Sequence, residues 1–342
     1  MSAGQPTNGE LFNLMRRTKA QYKYAVRRLN RVNNKMQNDK FVESIIQGGA
    51  DIFKEIKKFR GVKTQCSSRI DDEIGAATIA SHFGTIYSSL YNKADLGDSF
   101  MNMYQEINDE VSPDSMAQVY RIDEDLVRKA LSMLKDDKND ALFNFQSDCL
   151  KNGPPSLVTH LTQLLRTFLV HGVIPNFILI CSLLPLVKDN LGDITQSDNY
   201  RAIASGGLLL KLLDIIILLL EGDKLVCDEL QFGFQEGSST TMCSWMVTAT
   251  IDFYIQKGRP VYGCTMDLSK AFDMVDWCEL FGTLRERSVE PIFLRLLLYI
   301  YRNQMCDVRW NGKHSDKFSV KNGVRQGAVS SPILFSVFIE DP

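Results

Sequence analysis

The chain has 342 residues and a formal net charge of −2, with 44% hydrophobic and 23% charged residues. That is the balance of an ordinary globular protein, with length enough for two domains or one elaborate one. As totals these figures speak against both a membrane protein and a uniformly basic nucleic-acid binder, but the charge is unevenly spread. Leu11–Lys63 holds fourteen Lys/Arg against four Asp/Glu, a local charge of +10, and Thr64–Pro342 carries −11. A basic arm on a mildly acidic body points to polyanion binding through the arm.

Along the chain, residues 1–10 read as a tail too polar for a signal peptide. Residues 11–47 read as one or two basic helices, because Leu14, Tyr22, Val26, Leu29 and Val32 recur at near-helical spacing. Arg16, Arg17, Lys19, Lys23, Arg27, Arg28 and Arg31 are the candidate nucleic-acid contacts. A solvated helix face is the plainer account, and the charge density favours contact. Gly48–Gly49 interrupts the pattern and DIFKEIKKF resumes it. Residues 64–120 are polar with short helical patches and read as a loosely packed connector. IDEDLVRKALSMLK is a helix with Asp123 suited to its N-cap.

Gly153–Pro155 opens a second helix, SLVTHLTQLLRTFLVHG, closed by Gly172 and Pro175. His160 and His171 on it read as structural. ILICSLLPLVK reads as a strand ending at Lys188, followed by the loop DNLGDITQSDNYR. The apolar run Leu208–Leu220 has thirteen residues and is interrupted by Lys211 and Asp214. A membrane span needs roughly 20 apolar residues, so this is a buried helix. QFGFQEGSST turns into a helix over Thr240–Gln256, VYGCTMDL reads as a buried strand, and SKAFDMVDWCELFGTL as the helix after it. PIFLRLLLYIYRNQ is a further helix. Two alternating runs around Asn311–Gly312 predict a hairpin. GVRQGAVSSP is a loop before a last helix, ILFSVFIED. The eight cysteines form no CxxC, and several lie in apolar runs, which suits buried thiols in a reducing, intracellular compartment rather than a zinc site.

CTMDLSKAFDMVDW carries Asp267, Asp273 and Asp276. A carboxylate at the end of a buried strand is costly unless it is paired or bound to a cation. Lys270 is the one local cation, and Mg²⁺ takes hard oxygen ligands such as carboxylates and substrate phosphates. A helix-capping aspartate without chemistry is the competing account. In GVRQGAVSSP, two glycines let the backbone approach a ligand, and Gln326 can hydrogen-bond a base edge or a phosphate.

The order DxxxAFDxV, hairpin, GVRQGxxxSP resembles the reverse transcriptases of LINE-type (non-LTR) retrotransposons. LPLVKD…NYRAI…LLLKLLD resembles their fingers segment, and QFGFQEGSST the block before the palm. The basic helices and DLVRKALSMLK resemble the region between endonuclease and polymerase. The resemblance implies an α/β right-hand polymerase fold, fingers and an incomplete palm over residues 151–342, behind a helical N-terminal extension. That extension divides into a basic helical arm, 1–63, and a helical connector, 64–150.

It also implies roles. Asp267 is the catalytic carboxylate and, with the carbonyl of Leu268, a ligand of Mg²⁺ in a two-metal site. Phe272 is a steric gate favouring dNTPs. Lys188 and Arg201 lie near the incoming triphosphate, and Gln326 and Gly327 abut the nascent base pair. Asp273 reads as structural and Asp276 as surface. The implied partners are an RNA template, a DNA primer and dNTP, with no membrane, and the implied place of action is nuclear.

Departures from the family pattern are Ala202 where proline is usual, NDALFNFQSD in place of a Gly-Pro-Asp-Gly-like turn, and an end at Asp341–Pro342 before a Tyr/Phe-x-Asp-Asp hairpin. The expectation is therefore a chain truncated before that hairpin, inactive alone and prone to aggregate. The alternative function is a non-catalytic retroelement remnant that binds RNA or DNA through its basic arm. An intron maturase or telomerase relative is a third reading, which the QFGFQEGSST and GVRQGAVSSP blocks fit less well.

Overall fold

A computed structural model describes residues 67–340 apart from positions 95, 141–144, 190 and 236, together with positions 17 and 28. The chain divides into two units, Met1–Cys66 and Ser67–Pro342. In the first, Arg17 and Arg28 are helical and exposed. Arg16, Lys19, Lys23, Arg27 and Arg31, and the rest of the basic-helix pattern, lie outside the described residues.

In the second unit, Arg69–Ile70 (β1) and Glu73–Ile74 (β2) pair as a short antiparallel hairpin. It leads into α1, Ala76–Tyr91. The expectation of a loosely packed connector is corrected here. Ile79, Phe83, Tyr87 and Leu90 recur at helical spacing and are buried. Phe83 stacks on Tyr87 at 5.6 Å and meets Tyr200 and Trp310 of the main sheet at 5.3 and 5.4 Å. The stripe is hard to see because Ser, Thr and Gly lie between its members. α2, Asp98–Glu110, buries Phe100 and Ile107, and Phe100 packs on Trp277. α3 is Pro113–Ala117. α4, Glu124–Met133, starts where expected, with the Asp123 carboxylate accepting from the Leu126 amide at 2.8 Å.

After α5, Ser147–Lys151, α6 spans Pro155–His171 and stops at Gly172 in the left-handed region. The buried Arg295 donates to the Leu169 and Val170 carbonyls at that end, at 2.6 and 3.0 Å. β3, Ile180–Val187, is the expected strand. β4, Tyr200–Ser205, arises within what reads as loop and fingers block. Its Tyr200, Ala202 and Ala204 alternate inward, and small alanines make a faint signal. α7, Leu208–Glu221, is buried as expected. The Asp140 carboxylate accepts from the Leu208 amide at 2.7 Å at its start. Among the described residues no helix is long and apolar enough to cross a membrane.

α8 is Thr240–Gln256, started by the Ser239 hydroxyl accepting from the Met242 amide. The expected strand VYGCTMDL does not form. Residues 260–270 are irregular and exposed throughout. A strand needs a ladder partner for its backbone groups, and the described strands pair with one another instead. The following helix also starts later than expected. α9 is Trp277–Glu286, and α10 is Pro291–Asn303. β5, Met305–Trp310, turns through Asn311 and Gly312, at φ 45° and 78°, into β6, Lys313–His314. Positive φ at both positions suits the Asn-Gly hairpin turn. β7, Phe318–Ser319, returns to β5, and α11 is Ser331–Glu340.

The main sheet runs β4–β3–β5–β6, with β7 also on β5. β3 and β5 are parallel, Cys181 opposite Cys306, and the other pairs are antiparallel. The architecture is mixed α/β, with α1 on the sheet and α6, α7 and α10 in the core.

If α1 is core rather than connector, Phe83→Ala destabilises the protein by about 3–5 kcal/mol, as for other buried phenylalanines. Urea unfolding measures this, and a loss near zero would return residues 76–91 to the status of a connector.

Candidate functional site

The site is built around the loop between β7 and α11. The chain enters it along α1, where the Lys321 amide donates to the Tyr91 carbonyl at 2.8 Å. The buried Asn322 side chain then joins three segments. It accepts from the Lys93 amide at 3.1 Å and donates to the carbonyls of Leu90 at 3.1 Å and Asp273 at 2.7 Å. The Gly323 and Val324 amides donate to the carbonyls of Val275 and Phe272, each at 2.8 Å. The Gly323 carbonyl accepts from Trp277 Nε1 at 2.9 Å. Further along, the Gln326 carbonyl accepts from the Ala204 amide of β4 at 2.6 Å.

Two glycines make these approaches possible. Gly323 has φ 85°, and a Cβ there would lie 2.9 Å from the Asp273 carbonyl oxygen. Gly327 has φ 118°, and a Cβ there would lie 2.6 Å from the Ala204 carbonyl oxygen. In the structure these glycines let the loop come close to the protein's own backbone. The loop thus ties residues 272–275 to β4.

Arg201 lies exposed on β4 opposite Leu186 of β3. Side chains two apart on a strand share a face. The Lys188 amide extends the ladder by donating to the Asn199 carbonyl at 2.8 Å, so Lys188 and Arg201 face the same way. The Lys188 ammonium donates to the Asp198 carbonyl at 2.7 Å. Phe272 is half-buried, stacked on Phe335 with ring centroids 4.6 Å apart and met edge-on by Phe234 at 5.8 Å. Lys188, Arg201, Phe272, Gln326 and Gly327 therefore belong to one connected piece of structure.

Asp267 and Leu268 do not join it. Both are exposed, Leu268 at 62%, and Asp267 makes no hydrogen bond or ion pair among the described residues. The buried carboxylate of this stretch is Asp273, whose Oδ1 accepts from the Tyr91 hydroxyl at 2.7 Å. Burial raises its pKa, against the Tyr91 hydrogen bond and the charges of Lys270 and Lys188. Asp276, expected at the surface, is half-buried and caps α9, its Oδ1 accepting from the Cys278 and Glu279 amides at 2.7 and 3.1 Å. A short carboxylate placed just before a helix does this readily. Also unforeseen is a buried ion pair between Asp214 of α7 and Arg325 of the loop. Its sequence signal was the lone acid in an apolar run.

Residues 188–342 match the family model of the reverse transcriptase (RNA-dependent DNA polymerase). A Pol polyprotein of the type-2 retrotransposable element R2DM of Drosophila melanogaster is 24% identical over 145 residues, 42% of this chain and 14% of that protein. The transposon TX1 149 kDa protein of Xenopus laevis is 32% identical over 96 residues, 28% of this chain and 7% of that protein. The Pol polyprotein of a type-1 element R2 of Popillia japonica is 24% identical over 85 residues, covering 25% and 14%. Residues 188–342 are thus similar to a reverse transcriptase domain, and two of these relatives are proteins of R2 retrotransposable elements. It spans no more than about a seventh of the relatives it matches.

Reverse transcriptases use a divalent metal. Among the described residues, no three His, Cys, Asp or Glu side chains cluster so as to hold one. Asp267 and the Leu268 carbonyl, on an exposed irregular segment, do not by themselves fit a two-ion site.

Asp273 gives a pH signature. With its folded pKa above the unfolded value of 3.8, the folded state holds the proton over a window in which the unfolded state has lost it. Its contribution to stability is full below 3.8 and is lost as pH rises through the folded pKa. Asp273→Asn flattens that decline, read as urea midpoints across acidic to neutral pH. An unchanged slope would contradict the buried, ionisable assignment.

Proposed function

We propose that this chain supplies the nucleotide-facing part of an RNA-directed DNA polymerase, acting on an RNA template, a DNA primer and dNTP. The observation that carries the reading is the Gly323–Gly327 loop, tied to Phe272 on one side and to the β4 strand bearing Arg201 on the other. In this reading β3, β4, α6 and α7 form the fingers, and residues 260–340 belong to the palm. Lys188 and Arg201 meet the triphosphate, Arg201 with the bidentate geometry that suits phosphate. Gln326 and Gly327 lie against the base pair being formed, and the Phe272 ring excludes a ribose hydroxyl. Mg²⁺ is the ion suited to one carboxylate plus phosphate oxygens. Asp267 and the Leu268 carbonyl amount to less than its full site, and metal-assisted transfer is not assigned to them alone. Action of the whole protein on chromosomal DNA implies a nuclear place.

The test is dNTP binding by the chain, followed by photocrosslinking or fluorescence. Lys188→Ala and Arg201→Ala each weaken it about tenfold, the loss of about 1.4 kcal/mol of phosphate contact. Equal binding by wild type and the double variant would overturn the reading.

A second, non-catalytic reading assigns RNA or DNA binding to the basic arm, favoured by the exposure of Arg17 and Arg28. If these arginines contact phosphates, removing both lowers the slope of log K against log salt by about 1.4 on single strands. A slope unchanged by Arg17→Ala/Arg28→Ala would remove these arginines from the interface.

A further inference from the structure

Arg325 stands between the two tethers of the loop, the Val324 bond to Phe272 and the Gln326 bond to Ala204. Its side chain turns into the core, 7% exposed, with Nη2 3.6 Å from Oδ1 of Asp214, itself 2% exposed. Burial pushes the Asp214 carboxyl up, against Arg325 and Ser330. Burial also opposes the Arg325 charge, but the Asp214 carboxylate beside it outweighs burial and the guanidinium stays charged. Lys211, one turn before Asp214 on α7, is half-buried, with its pKa lowered by burial.

Two cavities of about 10 Å³ each border Asp214, one shared with Ser330 and Leu334, the other with Arg325 and Gly327. Each is about the size of a single water-sized probe. The pair therefore sits in a nearly filled interior, where apolar side chains of the same volume would be as stable or more so. What apolar packing would not supply is direction: a guanidinium drawn to one carboxylate fixes how its own backbone segment faces.

We propose that Asp214 and Arg325 are positioning residues. Their buried ion pair anchors the 323–327 loop to α7 and so sets where Gln326 and Gly327 meet the nucleotide. This rests on the polymerase reading above for its functional half, and on geometry for its structural half.

Amide hydrogen exchange on the full chain tests the anchor. Asp214→Asn keeps the shape and removes the charge. It speeds exchange at Val324 and Ala204 about tenfold, a change of about 1.4 kcal/mol in local opening, while amides within α6 and α10 stay near wild type. Loop amides that exchange as in wild type would overturn the anchor, and so would an equal rise across the whole unit, which signals general destabilisation. Should Asp214→Asn fail to fold, Arg325→Lys replaces it. It keeps the charge, loses the rigid fork, and is judged on the same amides. On the same samples, dNTP binding about tenfold weaker in Asp214→Asn supports positioning, and undiminished binding with a loosened loop overturns it. If the wild-type chain binds no dNTP, the polymerase reading fails, and exchange still decides the anchor.

Discussion

The candidate site depends on how closely one loop can approach one strand. At Gly327 a methyl group would come within 2.6 Å of the Ala204 carbonyl oxygen, which no real side chain tolerates. Without that approach the Gln326 carbonyl could not accept from the Ala204 amide. β4 would then lose its link to the loop, and the exposed face bearing Arg201 and Lys188 would no longer be fixed relative to Phe272. Gly323 plays the matching part at the other end, against the Phe272–Asp273 backbone. Asn322 completes the junction by satisfying two carbonyls and one amide from two further segments. Buried backbone groups need partners, so these segments hold one another in place.

Around this junction the polar residues divide into those that serve the backbone and those that serve each other. Asp123, Asp140 and Asp276 each take up amides at helix starts, and Arg295 takes up carbonyls at a helix end. Asp273 instead pairs with the Tyr91 side chain, and Asp214 faces both Arg325 and the Val329 and Ser330 backbone beside the loop. A buried ion pair such as Asp214–Arg325 is weak evidence for net stability, because desolvation offsets its attraction. In the anchoring role proposed for it, that pair acts on which arrangement of loop and helix is preferred.

Much of this was legible in the sequence where a local signal was enough. Asp123 before an apolar stripe, Gly172 after one, and Asn311–Gly312 between alternating runs each mark a boundary that local backbone chemistry enforces. The ordered blocks around Lys188, Arg201, Phe272 and Gln326 were legible as a resemblance, and the structure joins them in one piece. What was not legible depends on distant partners. α1 is a core helix only because Trp310 and Tyr200 receive Phe83. β4 is a strand because β3 lies beside it. The purpose of Gly323 and Gly327 appears only once Asp273 and Ala204 are seen opposite them.

The misread strand shows the same dependence from the other side. VYGCTMDL has the β-branched and aromatic content of a strand, and 260–270 is exposed throughout, with Tyr262 at 91% and Met266 at 92%. α8, just before it, also exposes apolar side chains, with Trp245 at 70% and Ile255 at 60%. That helix is held by its own signals, a Ser239 cap and seventeen residues of adequate propensity, since a helix makes its hydrogen bonds within itself. A strand has no such recourse. Asp267 sits on such a segment: its backbone has no ladder partner among the described strands, and its side chain stays exposed.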